Sequence, residues 1–152
     1  MRLSCLVDNC VAQGSALWGE HGLSFLIQTE DGNVLWDTGN SGTVLLHNLH
    51  RLKLDSLPLT AVALSHAHYD HTGGLTEVLA RHPGLTVYAH KTIFRARYAR
   101  RDDAITAIGL ASRREELVGK ATFSLHRTPQ EIIPGKCLAS IYQEVSNTGG
   151  DR

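Results

Sequence analysis

Three histidines and an aspartate fall within six residues in the string Ser65-His66-Ala67-His68-Tyr69-Asp70-His71-Thr72-Gly73-Gly74, and nothing else in the chain restricts the fold as strongly. Adjacent imidazoles pack poorly and repel one another once protonated, so such a cluster is retained where it binds something. Its neighbours say where in a fold it belongs. The apolar run Thr60-Ala61-Val62-Ala63-Leu64-Ser65 before it reads as a short strand buried on both faces. After it, Gly73-Gly74 opens the helical stretch Gly74–Pro83, closed by Pro83-Gly84. A ligand-rich loop between buried strand and helix lies at the carboxyl end of a parallel sheet, where open α/β sheets place their sites.

The flanking sequence supports a layered α/β fold. Residues 2–8 read as a first strand, and a polar, Gly-containing loop follows through Glu20. Residues 22–29 and 34–37 form two arms of a hairpin around Glu30-Asp31-Gly32-Asn33, a turn of the Asp-Gly type. Asp37-Thr38-Gly39-Asn40 breaks the third strand. Val44, Leu45, Leu49 and Leu52 then recur at helical spacing over residues 43–54. Residues 85–89 give another strand, so the pattern is β-β-β-α-β-α-β with helices returning to one sheet. Beyond residue 90 the sequence predicts helical and strand-like stretches without boundaries, and the polar segment 142–152 offers no closing element.

Composition narrows the class. A chain of 152 residues with 42% hydrophobic and 20% charged residues is a single globular domain. The formal net charge of +0 argues against a dedicated nucleic-acid or membrane-surface binder. Residues 1–76 carry three Lys/Arg against seven Asp/Glu, and residues 77–152 carry twelve against eight, so any anion-attracting face belongs to the second half. No apolar run is long enough to span a bilayer, and residues 1–20 lack the apolar core of a signal peptide; the expectation is a cytoplasmic protein. Cys5, Cys10 and Cys137 show no C-x-x-C spacing and are read as buried small hydrophobes in a reducing compartment.

The cluster has the chemistry of a metal site. His66 and His68 are two apart, so in near-extended backbone their rings project the same way, a natural start for a zinc site. Asp70 and His71 follow the turn and add an oxygen and a further nitrogen, enough to begin two adjacent sites. Divalent ions held there would acidify water into a nucleophile at neutral pH and polarise the oxygen under attack. Asp70 would act both as ligand and as the catalytic carboxylate that orients that nucleophile. Gly73-Gly74 would bring backbone N–H groups close to the site at a helix start.

The string H-A-H-Y-D-H-T-G-G resembles the H-x-H-x-D-H signature of the metallo-β-lactamase-fold hydrolases. Glu20-His21-Gly22-Leu23-Ser24, the hairpin ending Leu35-Trp36-Asp37-Thr38-Gly39, and Ala63-Leu64-Ser65 occur in that family's order. Val7-Asp8-Asn9, with residues 21–28 and 65–75, is similar to a branch that includes 7,8-dihydropterin-6-methyl-4-(β-D-ribofuranosyl)aminobenzene-5′-phosphate synthases. The likeness covers residues 1–95. It implies the first αβ half of a four-layer αββα sandwich, with His66 and His68 on a first zinc and Asp70 and His71 on a second. It also implies that Asp37 braces the metal-binding loop by hydrogen bonding, and that residues 9–20 form a flexible segment overhanging the site. The second half of such a sandwich normally supplies further ligands, and its Gly-Cys-Ser-His-type and Gly-Gly-His-type elements are not found here. The expectation is therefore an incomplete, C-terminally truncated domain, open to self-association through an exposed half-core.

The remaining candidates are weaker. His126 lacks the context of a family ligand. His90 and His21 are read as strand-flanking histidines bonded to backbone, with substrate contact as the alternative, and Trp18 as an aromatic that packs its loop, with the same alternative. His47, His50 and His82 are read as surface residues. Lys91, Arg95, Arg97, Arg100 and Arg101 are read as a solvated helix face balanced by Asp102 and Asp103, with a phosphate contact as the alternative. The resemblance implies a zinc-dependent hydrolase of an ester-like or phosphate-containing small molecule; the alternatives are a pterin-type synthase and a metal-binding remnant without turnover.

Overall fold

The computed structural model describes residues 1–135 and, as backbone only, residues 137–139. Its centre is a six-stranded sheet. The first three strands, β1 (Arg2–Val7), β2 (Ser24–Thr29) and β3 (Gly32–Trp36), pair antiparallel with one another, β2 in the middle. The expected hairpin is present, with Glu30 and Asp31 as its loop and Gly32 already in β3. A side chain at Gly32 would run into Thr60, whose hydroxyl accepts from the Asn33 N–H at 3.1 Å.

From β3 onward the pairing is parallel, through β4 (Ala61–Ala63), β5 (Thr86–His90) and β8 (Thr122–His126). Parallel neighbours need crossovers, and each carries a helix. These are α1 (Gly42–Arg51), then α2 (Tyr69–Thr72) with α3 (Leu75–Arg81), and finally α4 (Arg114–Val118). Leu45 and Leu49 of α1, Leu75, Val78 and Leu79 of α3, and Leu117 of α4 join one core with Leu26, Leu35, Val62, Val87 and Ala89 of the strands. All three crossovers thus cover the same sheet face. Leu52, expected on the apolar stripe of α1, lies past its last turn and is exposed.

The opposite face is covered differently. Val34 and Ala63 pack against Ile133 of β9 (Gln130–Ile133), with Ile27, Trp36 and Ile132 around them. Strand β9 pairs with β10 (Cys137–Ala139) outside the main sheet. The third sheet is the hairpin β6 (Tyr98–Arg101) and β7 (Ala104–Ala107), which stands away from the core with most of its residues exposed. This corrects the reading of the basic run as a helix face. Arg100 and Arg101 lie on a strand, and Asp102 turns the chain with a φ of 51°.

Cys5 and Cys10 are also not buried: both are exposed free thiols. Cys5 pairs across from Phe25 on the less covered sheet face and Cys10 lies in the loop after β1, so neither position points into the helix-covered core. Burial of its immediate surroundings and the nearby Asp8 carboxylate nevertheless raise the Cys5 thiol pKa. The side chain of Cys137 and the segment 142–152 lie outside the described residues. Among the described residues, no helix is long and apolar enough to cross a membrane.

Candidate metal centre

The parallel strands end in register. Trp36, Ala63, Tyr88 and Ser124 are successive partners across β3, β4, β5 and β8. The residues that follow therefore gather at one edge of the sheet: Asp37, the 64–71 segment, His90 and His126. This is the carboxyl end of the parallel strands, the expected place for a site.

Asp37 organises that edge. It is fully buried and holds a φ of 55°, a left-handed conformation that Asp tolerates better than most residues. One carboxylate oxygen accepts the Ser65 N–H at 2.8 Å. The other accepts the Ser65 hydroxyl at 2.6 Å and faces His71 Nδ1 at 2.8 Å. A carboxylate only accepts, so His71 carries its proton on Nδ1 and turns Nε2 the other way, toward Asp70 at 3.4 Å. The Ser65 proton is committed to Asp37, so its oxygen accepts from His66 Nδ1 at 2.9 Å. One buried carboxylate thus sets the tautomer of both His66 and His71, leaving Nε2 of each as the basic nitrogen, the form a metal ligand needs. The bracing role expected of Asp37 is what these hydrogen bonds provide.

The motif backbone is fastened to the loop after β3 and to the residue before β2. The His71 carbonyl accepts from Thr38 N at 2.7 Å, the Gly39 carbonyl from Gly73 N at 2.9 Å, and the Asp70 carbonyl from Leu23 N at 3.2 Å. His68 precedes α2 in extended backbone, and its carbonyl takes the Thr72 hydroxyl at 2.9 Å. The glycines serve this fastening. A Cβ on Gly73 would lie 2.0 Å from the Asn40 carbonyl oxygen, and one on Gly74 would lie 2.5 Å from that of Thr38. Protein backbone crowds both glycines, and the Gly73 N–H, expected to face the site, is already bonded to the Gly39 carbonyl.

The structure brings all four expected ligands together. The His66 ring centroid lies 4.7 Å from that of His68 and 4.1 Å from that of His71. Asp70 Oδ2 is 3.4 Å from His71 Nε2 and equally 3.4 Å from His21 Nε2. His21, a minor candidate from sequence, thus joins the cluster. All but His21 are half-buried, which suits groups that must be dry enough to bind an ion yet reachable. The side chains are neighbours rather than a closed cage: among the described residues, no three His, Cys, Asp or Glu side chains already surround a common point suited to a metal. Three imidazoles, two with their tautomer fixed, and one carboxylate nonetheless match the donor chemistry of a zinc-type site.

Several supporting residues escaped the sequence reading. Glu20 accepts the N–H groups of Asn40 and Ser41 at 3.0 and 2.8 Å and the Ser41 hydroxyl at 2.7 Å. Ser41 in turn caps α1 by accepting from Val44 N at 3.2 Å. Asn48, buried in α1, exchanges hydrogen bonds of 2.8 Å with both the N–H and the carbonyl of Trp18. The Trp18 indole stacks on His47, with centroids 3.7 Å apart and planes 10° from parallel, and His47 Nε2 lies 3.0 Å from the Ala16 carbonyl. Loop 9–20 is therefore pinned where it reaches α1, and His47 is a fastening residue, not a bystander on the surface. An Asn on the apolar side of a helix was the one sequence signal for this contact.

His90 and His126 face each other in the β5–β8 register. His90 is buried, with Nδ1 2.7 Å from the Thr92 hydroxyl. Burial lowers its pKa first, helped by the positive charges of Lys91, Arg97 and Arg127. His126 Nε2 lies 2.6 Å from the Ser124 hydroxyl, and its ring stacks at 6.4 Å on Tyr88. Both are held by neighbours on β5, on β8 and in the turn after β5.

Residues 17–139 match the model of the metallo-beta-lactamase superfamily, and the chain belongs to that superfamily. The 7,8-dihydropterin-6-methyl-4-(beta-D-ribofuranosyl)-aminobenzene-5'-phosphate synthase of Methanocaldococcus jannaschii is 29% identical over 142 residues, 89% of this chain and 48% of the relative. A hydroxyacylglutathione hydrolase of Actinobacillus pleuropneumoniae is 33% identical over 82 residues, 53% of this chain and 33% of that protein. Among solved structures, a metal-dependent hydrolase of the beta-lactamase superfamily superposes with a TM-score of 0.65 at 28% identity, covering 87% of this chain and 44% of the other. The chain spans about half the length of the curated relatives it matches most extensively. The architecture is thus the first αβ half of the superfamily's sandwich.

Proposed function

We propose that the chain carries the metal-binding half of a zinc-dependent hydrolase acting on an ester-like or phosphate-containing small molecule. His66 and His68 would hold one divalent ion, and Asp70 and His71 a second. Zinc bound there would supply Lewis acidity and an acidified water. The observation that carries this reading is the Asp37 network, which fixes two imidazoles of the motif in the metal-binding tautomer. Asp37 keeps His66 and His71 oriented through Ser65 and through its own carboxylate. Asp70, whose Oδ2 lies 3.4 Å from both His21 and His71, would orient the attacking group and hold its proton. The partner of this site is a small molecule rather than nucleic acid or membrane, in keeping with the balanced charge.

A second reading rests on the comparison that covers more of the chain. The pterin-type synthase aligns over 142 residues, against 82 for the hydroxyacylglutathione hydrolase. On that reading the same residues would hold metal while the site positions a phosphate-bearing partner for group transfer. A chain that binds metal without turnover is the third outcome. Elemental mass spectrometry of the purified chain, with His68→Ala as control, tests the common premise. About two zinc ions per chain, lost in the variant, support it. A metal content equal in both proteins refutes it. Hydrolysis of phosphodiester and thioester probes by the metal-loaded chain, against binding of a pterin substrate, then separates hydrolase from synthase.

A further inference from the structure

Beside the motif lies an open cavity of about 570 Å³ that none of the roles above uses. Its floor includes Tyr69, the residue between His68 and Asp70, and its walls come from segment 94–115. The walls are fixed to the site by backbone. Tyr69 N donates to the Ile108 carbonyl at 3.1 Å, and Ile108 N donates to the Arg97 carbonyl at 2.9 Å. On the far side the Ser112 hydroxyl meets Thr76 of α3 at 2.7 Å. Phe94 is anchored against Phe123, with ring centroids 5.0 Å apart.

Four arginines, Arg95, Arg97, Arg113 and Arg114, line this space against one carboxylate, Glu115. Two are pre-placed. The Arg97 guanidinium donates to the Thr92 and Arg95 carbonyls at 3.3 and 2.9 Å, and that of Arg114 sits 5.3 Å above the Phe94 ring. A volume in the range of small-molecule sites, a surplus of guanidinium groups and the tyrosines Tyr69 and Tyr98 in the lining together describe a seat for an anionic, ring-bearing molecule.

We propose that this cavity binds the phosphate-bearing part of the substrate. Arg95, Arg113 and Arg114 contact the anion, Arg97 and Phe94 hold the wall, and Tyr69 and Tyr98 take the adjoining ring. The inference rests on the small-molecule reading above and adds to it where the substrate lies and which charge it carries. The basic run, set down from sequence as a solvated helix face, then divides. Arg95 and Arg97 line the cavity, and Arg100 and Arg101 continue along the exposed hairpin.

The test is calorimetric titration of the full chain with phenylphosphonate, an unreactive ring-bearing phosphate mimic, circular dichroism confirming that each variant folds. Arg113→Ala combined with Arg114→Ala should weaken binding about tenfold or more. Arg51→Ala, on α1 outside the cavity, should leave it unchanged, and methylphosphonate, which lacks the ring, should bind less tightly than phenylphosphonate. With chelator present throughout, so that no divalent ion can hold the phosphonate, binding should persist, because the anion does not sit on the histidines. No measurable binding, or equal affinity in the double arginine variant, overturns the proposal. Loss of binding on adding chelator, with retention in the arginine variant, also overturns it, while leaving the metallohydrolase reading intact. Arginine-dependent binding by a chain that takes up no metal does the reverse: it sinks the hydrolase and keeps the cavity.

Discussion

Leu35 and Trp36 are consecutive residues of one strand, yet they belong to different environments. Leu35, with Leu26, Val62 and Val87, points to the helix-covered face, and all four are fully buried. Trp36 points the other way, into a smaller cluster with Val34, Ala63 and Ile133. Further along that second face Leu3 is 61% exposed and Cys5 is exposed as well. Alternation along a strand is obligatory, so a sheet built of apolar residues on both sides presents two hydrophobic surfaces whether or not both find cover. Here α1, α3 and α4 cover one, and among the described residues β9 covers part of the other. Asp37, the next residue after Trp36, belongs to neither face and closes the strand on the candidate site.

These three neighbours should respond very differently to truncation. Asp37→Ala removes the acceptor shared by Ser65 and His71 and leaves their half-buried donors without it. It also puts a residue ill-suited to a left-handed φ at that position. A loss of about 4 kcal/mol in urea denaturation is expected. Asp37→Asn keeps the shape but cannot accept all three bonds in the same way, and zinc affinity should fall about 10–100-fold by competition with a chelator. Unchanged affinity would mean that the brace does not orient the ligands.

Leu35→Ala, on the covered face, should cost about 3 kcal/mol, against about 1 kcal/mol for Trp36→Ala and less than about 0.5 kcal/mol for Leu3→Ser. If Trp36→Ala costs as much as Leu35→Ala, the second face is better covered in solution than the cluster around Ile133 indicates. The self-association expected from sequence sharpens the same contrast. Sedimentation of the wild-type chain should depend on concentration, and Leu3→Ser with Trp36→Ser should reduce that dependence. A wild-type chain that stays monomeric at high concentration excludes a second copy as cover for this face.

What could be read from sequence follows the same division between local and long-range causes. The β2–β3 hairpin is written in alternation and an Asp-Gly turn, and the ligand string lies within six residues, so both were legible. The Asp37 brace came from resemblance, because its partners Ser65 and His71 are 28 and 34 residues away. The Glu20 cap on Ser41 and the Trp18–His47 stack are contacts of this long-range kind and left no local pattern. The β6–β7 hairpin was missed for a different reason. Nearly every residue on it is exposed, so no buried alternation marks its strands, and its charges read as readily on a helix. Gly73-Gly74 was recognised as constrained, but the constraint comes from the carbonyls of Asn40 and Thr38 rather than from a ligand.

The smallest expected effect concerns His90, on the second face at the end of β5. It is 3% exposed, and Lys91, Arg97 and Arg127 add positive charge around it, so its folded-state pKa is depressed, chiefly by burial. A depressed histidine resists the proton that the unfolded chain accepts near pH 6.5. Its contribution to stability is therefore present in full above about pH 6.5 and is lost as pH falls from there toward the folded-state pKa, below which the loss levels off. Other histidines titrate in the same window, so the measurement is a difference between the wild-type chain and His90→Gln, both with chelator, by denaturant unfolding from pH 8 to pH 5. The wild-type chain should lose more stability on acidification than the variant. Parallel profiles would mean that His90 takes its proton as readily folded as unfolded, and hence that the end of β5 is wetter than its packing against Thr92 implies.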